Sequence, residues 1–298
     1  MTATTPRNIP EYLEQLRRAL VDADPALVQD ALYDAEEYLR SEMAEQPGVD
    51  EATLLASIAT SYGAPEEVAD IYRQTESTVV QALRPPPKRE HRSLAGKFFG
   101  VLADPRAYTA LLYMLLSLAT GTLYFTWAVT GISLSLGLAI LIIGIPFAIL
   151  FFASVRGISL VEGRVVEALL GERMPRRPLY TDREQSMMTR IKTLFTDPRT
   201  WSSMLYMLLM QPLGVLYFTL AITAISLSLG FATMPLAQFF GSDAVMSFGD
   251  TQITLPLWTT PLTMLIGLLM ITLVLHGARG IGYLHAQLAK HLLVKSAA

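Results

Sequence analysis

Apolar and polar positions divide the chain into an amphipathic N-terminal part and a long apolar part. From Ala107 to Val155, no Asp, Glu, Lys or Arg occurs across 49 consecutive positions. About 20 apolar residues cross a bilayer as a helix, so this stretch is long enough for two spans. A buried helical hairpin in a soluble core is the alternative, but few soluble cores contain such a run. The pattern therefore predicts a membrane protein.

The first 83 residues have the apolar spacing of amphipathic helices rather than continuous apolar runs. Pro10, Pro25 and Pro65 each suit the first turn of a helix, where the missing N–H costs nothing. A further helix is predicted to begin at residue 50 or 51. The pattern predicts four helices that form a small acidic bundle over residues 1–83, which we call the head.

The apolar part of the chain contains an internal repeat. Asp104-Pro105-Arg106 recurs 93 residues later as Asp197-Pro198-Arg199, and Arg156-Gly157-Ile158 recurs 123 residues later as Arg279-Gly280-Ile281. Because the offset grows from 93 to 123, the second copy contains 30 additional residues between its two spans. We predict two membrane repeats with two transmembrane helices each, over residues 93–175 and 176–298.

Each repeat is predicted to begin with an amphipathic helix that is followed by an Asp-Pro pair. The pairs are Asp104-Pro105 and Asp197-Pro198. Asp is a favourable N-cap and Pro suits the first turn, so each pair predicts the start of a transmembrane helix. The Ser-Leu-Ser-Leu-Gly segment that both copies contain, residues 133–137 in the first, is predicted to be the turn outside the membrane.

Charge is unevenly distributed, although the net charge is only −3. Residues 1–80 carry 16 acidic and 5 basic side chains, and the other 18 Lys and Arg residues lie in segments 81–107, 156–199 and 279–298. The positive-inside rule therefore places both termini in the cytoplasm of a bacterial cell and makes the repeats parallel hairpins. The predicted fold class is all-α, with a small cytoplasmic helical bundle and a four-helix transmembrane bundle.

A proline-rich basic spacer separates the head from the membrane repeats. Residues 84–92 contain three consecutive prolines, which favour an extended polyproline II segment. The neighbouring Lys and Arg side chains suit anionic lipid headgroups. We predict a linker here, with membrane lipids among the partners of the chain.

Few residues could support catalysis. The chain contains no Cys, which excludes disulfides, thiolate metal sites and cysteine nucleophiles. His276, His285 and His291 do not share one helix face as a chelating pair, so we expect them to be solvated at the membrane surface. We predict no enzyme activity, no cofactor, no metal site and no direct nucleic-acid binding.

The spans themselves are expected to contain no buried ionisable residue, which argues against a pump, a channel or a proton-coupled carrier. The tyrosines that recur in both copies are expected to serve packing or interface anchoring. They are Tyr113, Tyr124, Tyr206 and Tyr217.

The head resembles a known family. The segments at 9–20, 30–43 and 57–72, above all the turn at Tyr62–Ala69, resemble the HAAS-type helical signalling domain. That resemblance implies an adaptor that is associated with PadR-like transcriptional regulators or attached to membrane segments.

The membrane repeats have a resemblance of their own. Leu213–Thr219 with Ile225–Gly230, and the matching segment around 121–137, resemble the sensor-type transmembrane domain found ahead of bacterial histidine kinases. The chain departs from that pattern because it has no phosphoacceptor His motif and no ATP-binding Gly boxes. The resemblance therefore implies a sensor whose output passes through the head or a partner protein.

These features predict a non-enzymatic membrane signalling protein whose head engages a cytoplasmic regulator, PadR-like by resemblance. The rival interpretation is a membrane subunit or accessory protein of a transporter, such as an ABC-type exporter, and either could be a homo-oligomer. An acidic face on the head would attract a basic partner, although an ordinary solvated face is the alternative. The candidate partner-binding residues are Asp34, Glu36, Glu37, Glu42, Glu66 and Glu67.

The outer insertion, residues 231–254, is the candidate region for sensing an extracytoplasmic ligand, because loops added to a repeat often carry function. Its sequence includes a short β-hairpin signal with the turn at Gly249-Asp250. A passive lid on the bilayer is the alternative. The candidate sensing residues are Gln238, Phe239, Phe240, Asp243, Asp250 and Gln252.

Overall fold

A computed structural model describes residues 6–82, 93–141, 143–177, 187–240, 245–248, 251–254 and 256–294. The predicted linker at 84–92 lies outside the described residues. The head has four helices, α1 (Ile9–Ala19), α2 (Pro25–Glu45), α3 (Glu51–Ser61) and α4 (Pro65–Ala82). Their starting positions confirm the prediction from proline placement and apolar spacing. Tyr12, Leu16 and Leu39 are fully buried in the core that these helices share.

Four further helices are long and apolar enough to cross a membrane. They are α6 (Pro105–Gly137), α7 (Gly144–Leu170), α9 (Pro198–Phe239) and α10 (Thr260–Leu293); the short helices α5 (Leu94–Phe99) and α8 (Met187–Thr196) precede α6 and α9. The all-α fold class with four transmembrane helices is therefore confirmed, and the chain is a multi-pass membrane protein.

The Asp-Pro pairs begin the first transmembrane helix of each repeat, as predicted. The Asp104 carboxylate accepts a hydrogen bond from the backbone N–H of Arg106 at 3.2 Å. The Asp197 carboxylate accepts one from the backbone N–H of Arg199 at 3.0 Å. Each aspartate thus satisfies an N–H that the helix itself leaves unpaired.

The Ser-Leu-Ser-Leu-Gly segments were predicted to be turns, and that prediction is wrong. Residues 133–137 form the last turns of α6, and the equivalent residues 226–230 lie inside α9, which continues to Phe239. The Ser228 hydroxyl donates to the carbonyl of Ala224 at 2.6 Å. This bond within the helix satisfies the polar group that otherwise favours a turn.

The two repeats are inverted with respect to each other, so the prediction of parallel hairpins is wrong. The early part of α6, at Ala110 and Met114, packs in one cluster with Tyr217 and Ala221, far along α9. Further along α6, Ser117 lies against Gly214 and Gly121 lies against Met210, so the contacted residue moves back toward the start of α9 as α6 proceeds. Helices α6 and α9 therefore run antiparallel, and a pseudo-two-fold axis across the bundle relates the hairpins.

The positive-inside rule gave the wrong relation between the repeats because it counts every Arg as an unpaired charge on the cytoplasmic side. Arg156 is bound to Asp197 at 2.9 Å, and its repeat equivalent Arg279 is bound to Asp104 at 2.9 Å. These two ion pairs lie at opposite ends of the antiparallel α6–α9 pair. The side of the membrane on which each terminus lies stays a prediction.

The outer insertion contains the predicted hairpin. Strands β1 (Val245–Phe248) and β2 (Thr251–Thr254) pair antiparallel, with Val245 opposite Thr254 and Phe248 opposite Thr251. The two residues between the strands, Gly249 and Asp250, lie outside the described residues.

Candidate functional site

The centre of the transmembrane bundle contains two buried ionisable residues. Glu162 of α7 and His285 of α10 are each only 1% exposed. They are 123 residues apart, the offset that relates Arg156 to Arg279, so they occupy equivalent positions in the two repeats. The predictions that His285 is solvated and that the spans bury no ionisable residue are both wrong. The charge pattern assigned the chain after Arg156 to the cytoplasm, whereas α7 continues inside the bundle to Leu170.

The other two histidines of that prediction differ from His285. His276 is half-buried, and one of its ring nitrogens lies 3.0 Å from the carbonyl oxygen of Phe98. His291 is exposed. Only His291 therefore matches the expected solvated position.

Three tyrosine hydroxyls surround the Glu162 carboxyl group. Tyr113 and Tyr206 each donate to Oε1 at 2.8 Å, and Tyr124 donates to Oε2 at 2.7 Å. Burial of a carboxyl group is costly unless its oxygens are hydrogen-bonded, and these three donors supply that compensation.

The His285 ring contacts the same tyrosines from the other repeat. Its Nε2 lies 2.6 Å from the Tyr113 hydroxyl and 3.0 Å from the Tyr206 hydroxyl. Its Nδ1 lies 3.3 Å from the hydroxyl of Tyr217. Two tyrosines thus bridge the carboxyl group and the imidazole. We call Glu162, His285 and these four tyrosines the polar centre.

The polar centre follows the symmetry of the repeats. Tyr113 is equivalent to Tyr206 and Tyr124 to Tyr217, both at the offset of 93. Each repeat therefore contributes two tyrosines and one ionisable side chain. The predicted packing role of the tyrosines is confirmed, but their hydroxyls also bind the polar centre rather than a membrane interface. The signal that could have found this centre is the repeat itself, because its second offset pairs Glu162 with His285.

A donor and acceptor count assigns the hydrogens of the polar centre. Because Tyr113 and Tyr206 donate their hydroxyl hydrogens to Glu162, Nε2 of His285 must be the donor toward their oxygens. Nδ1 is then free to accept from Tyr217. With an ionised carboxylate and a neutral imidazole, every contact has a donor and an acceptor, and the single Nε2 hydrogen is shared between the oxygens of Tyr113 and Tyr206.

The polar centre is closed to larger ligands. The space beside Glu162, lined by Tyr124, Ser159, Ser203 and Tyr206, does not admit a water molecule. Within the described parts of the chain, no Lys or Arg pairs with Glu162, and no three His, Asp or Glu side chains are grouped to hold a metal ion.

Two glycines allow the repeats to approach closely enough to form this centre. A Cβ atom added to Gly121 would lie 2.3 Å from the carbonyl oxygen of Met210, and one added to Gly214 would lie 2.2 Å from that of Ser117. Both contacts are closer than side chains permit. Gly121 and Gly214 are repeat equivalents, so the same device is used twice across the α6–α9 contact.

The head contacts the membrane bundle through the segment that follows α7. The carboxylate of Asp30 is buried and accepts hydrogen bonds from the backbone N–H groups of Arg176 and Arg177, at 2.7 and 2.9 Å. Burial raises the pKa of Asp30, and these two hydrogen bonds oppose that shift. The guanidinium of Arg173 lies 3.4 Å from the same carboxylate. We call this set of contacts the head contact.

Further polar pairs extend the head contact. Arg177 Nε lies 3.0 Å from Asp34, which also accepts a hydrogen bond from the Tyr72 hydroxyl at 2.9 Å. Lys290 of α10 donates to Asp24 of the head and to Glu172, both at 2.7 Å. The head is thereby joined to both repeats.

The predicted partner-binding residues of the head occupy different environments. Asp34 belongs to the head contact, Glu36 pairs with Arg40 at 3.1 Å, and Glu67 accepts from the backbone N–H of Ala64 at 3.1 Å. Glu37 and Glu66 are exposed, and Glu42 is half-buried. The structure therefore groups only Asp34 with a basic surface, and partner binding by these residues stays a prediction.

The predicted sensing residues do not form one site in the described residues. Phe239 and Phe240 are exposed at the end of α9, and Gln238 lies in the same helix. Gln252 pairs with Ser247 in the hairpin. Asp243 and Asp250 lie outside the described residues, and the sensing role of this region stays a prediction.

Comparison with known proteins identifies one family. The family model described as "Putative sensor" matches residues 113–293. The matched region begins at Tyr113 and contains the whole polar centre. No curated protein and no solved structure matches the chain.

Proposed function

This chain belongs to the "Putative sensor" family, and we propose that it is a non-enzymatic membrane signalling protein whose head engages a cytoplasmic regulator. The resemblance of the head to HAAS-type domains suggests a PadR-like regulator. A change in the arrangement of the transmembrane helices alters the presentation of the head to that regulator. The stimulus must bind the two arrangements with different affinity, since otherwise it shifts no population.

The head contact is the observation that supports this proposal. Asp34 is a candidate partner-binding residue, and its carboxylate is occupied by Arg177 at 3.0 Å. A basic partner that uses this face therefore competes with the segment after α7. Undocking of the head would release Asp30 and Asp34 together, which links the bundle to the availability of the acidic face.

Co-purification of the full chain in detergent with the PadR-like regulator encoded nearest to it tests the proposal. Arg177→Glu should weaken the head contact and increase regulator binding, because like charges then face Asp34. Charge reversal at Glu36 and Glu37 should weaken the complex. Arg106→Glu makes the same charge change at an exposed position on α6 and should leave binding unchanged. Failure of both wild type and Arg177→Glu to bind the regulator would refute this part of the proposal.

The outer insertion is the proposed entry point for the stimulus, and because α6 and α9 run antiparallel it lies at the end of the bundle where α6 begins. Phe239 and Phe240 are exposed apolar side chains that precede the hairpin in the sequence. Deletion of residues 241–250 should abolish the response to the stimulus while protein levels stay normal. An unchanged response in that variant would assign the insertion to a passive role.

The transporter alternative has one feature in its favour. Inverted hairpin repeats with a polar centre at their interface recur among transport proteins. The space beside Glu162 excludes water, so this conformation offers no substrate site there. A pulldown that returns an ATPase instead of a regulator would favour the transporter interpretation.

A further inference from the structure

The polar centre is too closed to hold a substrate, and the ligand that its groups can still bind is a proton. Glu162 and His285 are buried, closed off from water and bridged by the Tyr113 hydroxyl, which lies 2.8 Å from Oε1 and 2.6 Å from Nε2. We propose that Glu162 and His285 form one proton-binding site that joins the two repeats. This inference depends only on the bundle and not on the regulator proposed for the head.

The hydrogen count explains why one proton matters. With an ionised Glu162 and a neutral His285, the donors and acceptors of the polar centre match. An added proton on Nδ1 removes the acceptor for Tyr217, whose hydroxyl must then rotate and accept instead. An added proton on the Glu162 carboxyl group displaces one tyrosine donor. In either case the proton comes from solvent, and one hydrogen bond of the centre is rearranged.

No Lys or Arg side chain among the described residues is placed to pair with Glu162, so its charge is balanced by taking up a proton. The titratable groups that face Glu162 or His285 are Tyr113 and Tyr124 from α6 and Tyr206 and Tyr217 from α9. The nearest fixed charges on α7 and α10 are already paired. These pairs are Arg156 with Asp197, Arg164 with Glu167, Arg279 with Asp104, and Lys290 with Asp24 and Glu172.

Proton binding at this position acts on the contact between the repeats. Glu162 is held by Tyr206 of the other repeat, and His285 is held by Tyr113 of the other repeat. Rearrangement of one of these hydrogen bonds therefore changes the packing of α6 against α9. A charge change at so deeply buried a position has a larger effect than on the surface, because little solvent screens it.

The test follows both groups in the full chain in lipid nanodiscs. Infrared difference spectra report the Glu162 carboxyl band, and ¹⁵N chemical shifts of labelled histidine report His285; Glu162→Gln and His285→Gln assign the two signals. We expect both signals to change together, with one shared midpoint. In Glu162→Gln, half-protonation of His285 should require a proton concentration at least about tenfold higher, because the nearby carboxylate is gone.

A matched pair of variants separates proton binding from a purely structural role. Tyr217→Phe removes the partner of Nδ1 and should shift the ¹⁵N signal and midpoint of His285. Tyr124→Phe removes the equivalent contact to Glu162 and should instead change the carboxyl band. Separate midpoints for the two groups, or no titration of either in a folded wild-type protein, would overturn the proposal.

Discussion

Glu162 and His285 occupy equivalent positions in two inverted repeats and contact the same tyrosine hydroxyl. The oxygen of Tyr113 lies 2.8 Å from Glu162 Oε1 and 2.6 Å from His285 Nε2. The scaffold around them is symmetric, since each hairpin contributes two tyrosines, one interfacial glycine, and one Asp and one Arg that pair with the other hairpin. The two repeats differ at the centre, where one has the acid Glu162 and the other has the base His285.

The glycines at the α6–α9 contact should be intolerant of any side chain. Gly214→Ala places a Cβ atom 2.2 Å from the Ser117 carbonyl oxygen, so the helices must separate. We expect a loss of about 1–3 kcal/mol in unfolding free energy, measured by denaturation in detergent. Gly230→Ala is the control in the same helix, where nothing lies within 4 Å. Equal stability of the two variants would contradict the close approach of α6 and α9.

The inverted arrangement predicts which cysteine pairs can be cross-linked. Ala110 and Ala221 pack in one buried cluster, so Ala110→Cys with Ala221→Cys should be joined by a short thiol cross-linker. The natural chain has no Cys, which removes background reaction. The control is Ala110→Cys with Ser203→Cys, repeat-equivalent positions that parallel repeats would bring to the same end. Cross-linking of the control pair alone would show that the repeats are parallel.

Arg156 and Asp197 form an ion pair, and their contributions to stability should be energetically coupled. Both side chains are largely buried and lie 2.9 Å apart, so removal of one leaves the other uncompensated. A double-mutant cycle with Arg156→Met and Asp197→Asn should give a coupling energy of about 0.5–3 kcal/mol from denaturation in detergent. Additive effects of the two substitutions would show that the pair contributes no net coupling.

Asp30 should be the most sensitive residue of the head contact. Asp30→Asn removes the negative charge near Arg173 and weakens the acceptor for two backbone N–H groups, a loss of about 1–3 kcal/mol. Hydrogen exchange of the full chain should become faster at residues 173–177. Glu37→Gln makes the same chemical change at an exposed position of α2 and should leave exchange unchanged. Unaltered protection in Asp30→Asn would mean that other contacts hold the head.

Alkaline pH should destabilise the head through Tyr62. Burial raises the pKa of Tyr62 from 10.0 to about 12. The unfolded head therefore releases this proton first, and stability falls as the pH rises from about 10 to about 12. Tyr62→Phe keeps the stacking on Tyr38 and should reduce this loss by an amount of order 1 kcal/mol. The same slope with pH in both proteins, measured by hydrogen exchange of α3, would contradict the assignment.

Local patterns in the sequence were sufficient to place most of the elements. The Asp-Pro pairs, apolar spacing and charge-free runs predicted the head helices and the four spans, because caps, prolines and span length act over a few neighbouring residues. The hairpin in the outer insertion was predicted for the same reason. The repeat was also visible in the sequence, since it requires only a comparison of the chain with itself.

The arrangement of those elements was decided only by the tertiary structure. Ion pairing of Arg156 and Arg279 with the opposite repeats uses the charges that the orientation rule had counted as free. Burial of Glu162 and His285 depends on hydroxyls that α6 and α9 supply from far along the chain. Partners at such separations leave no local pattern, so the polar centre exists only where the two hairpins pack together.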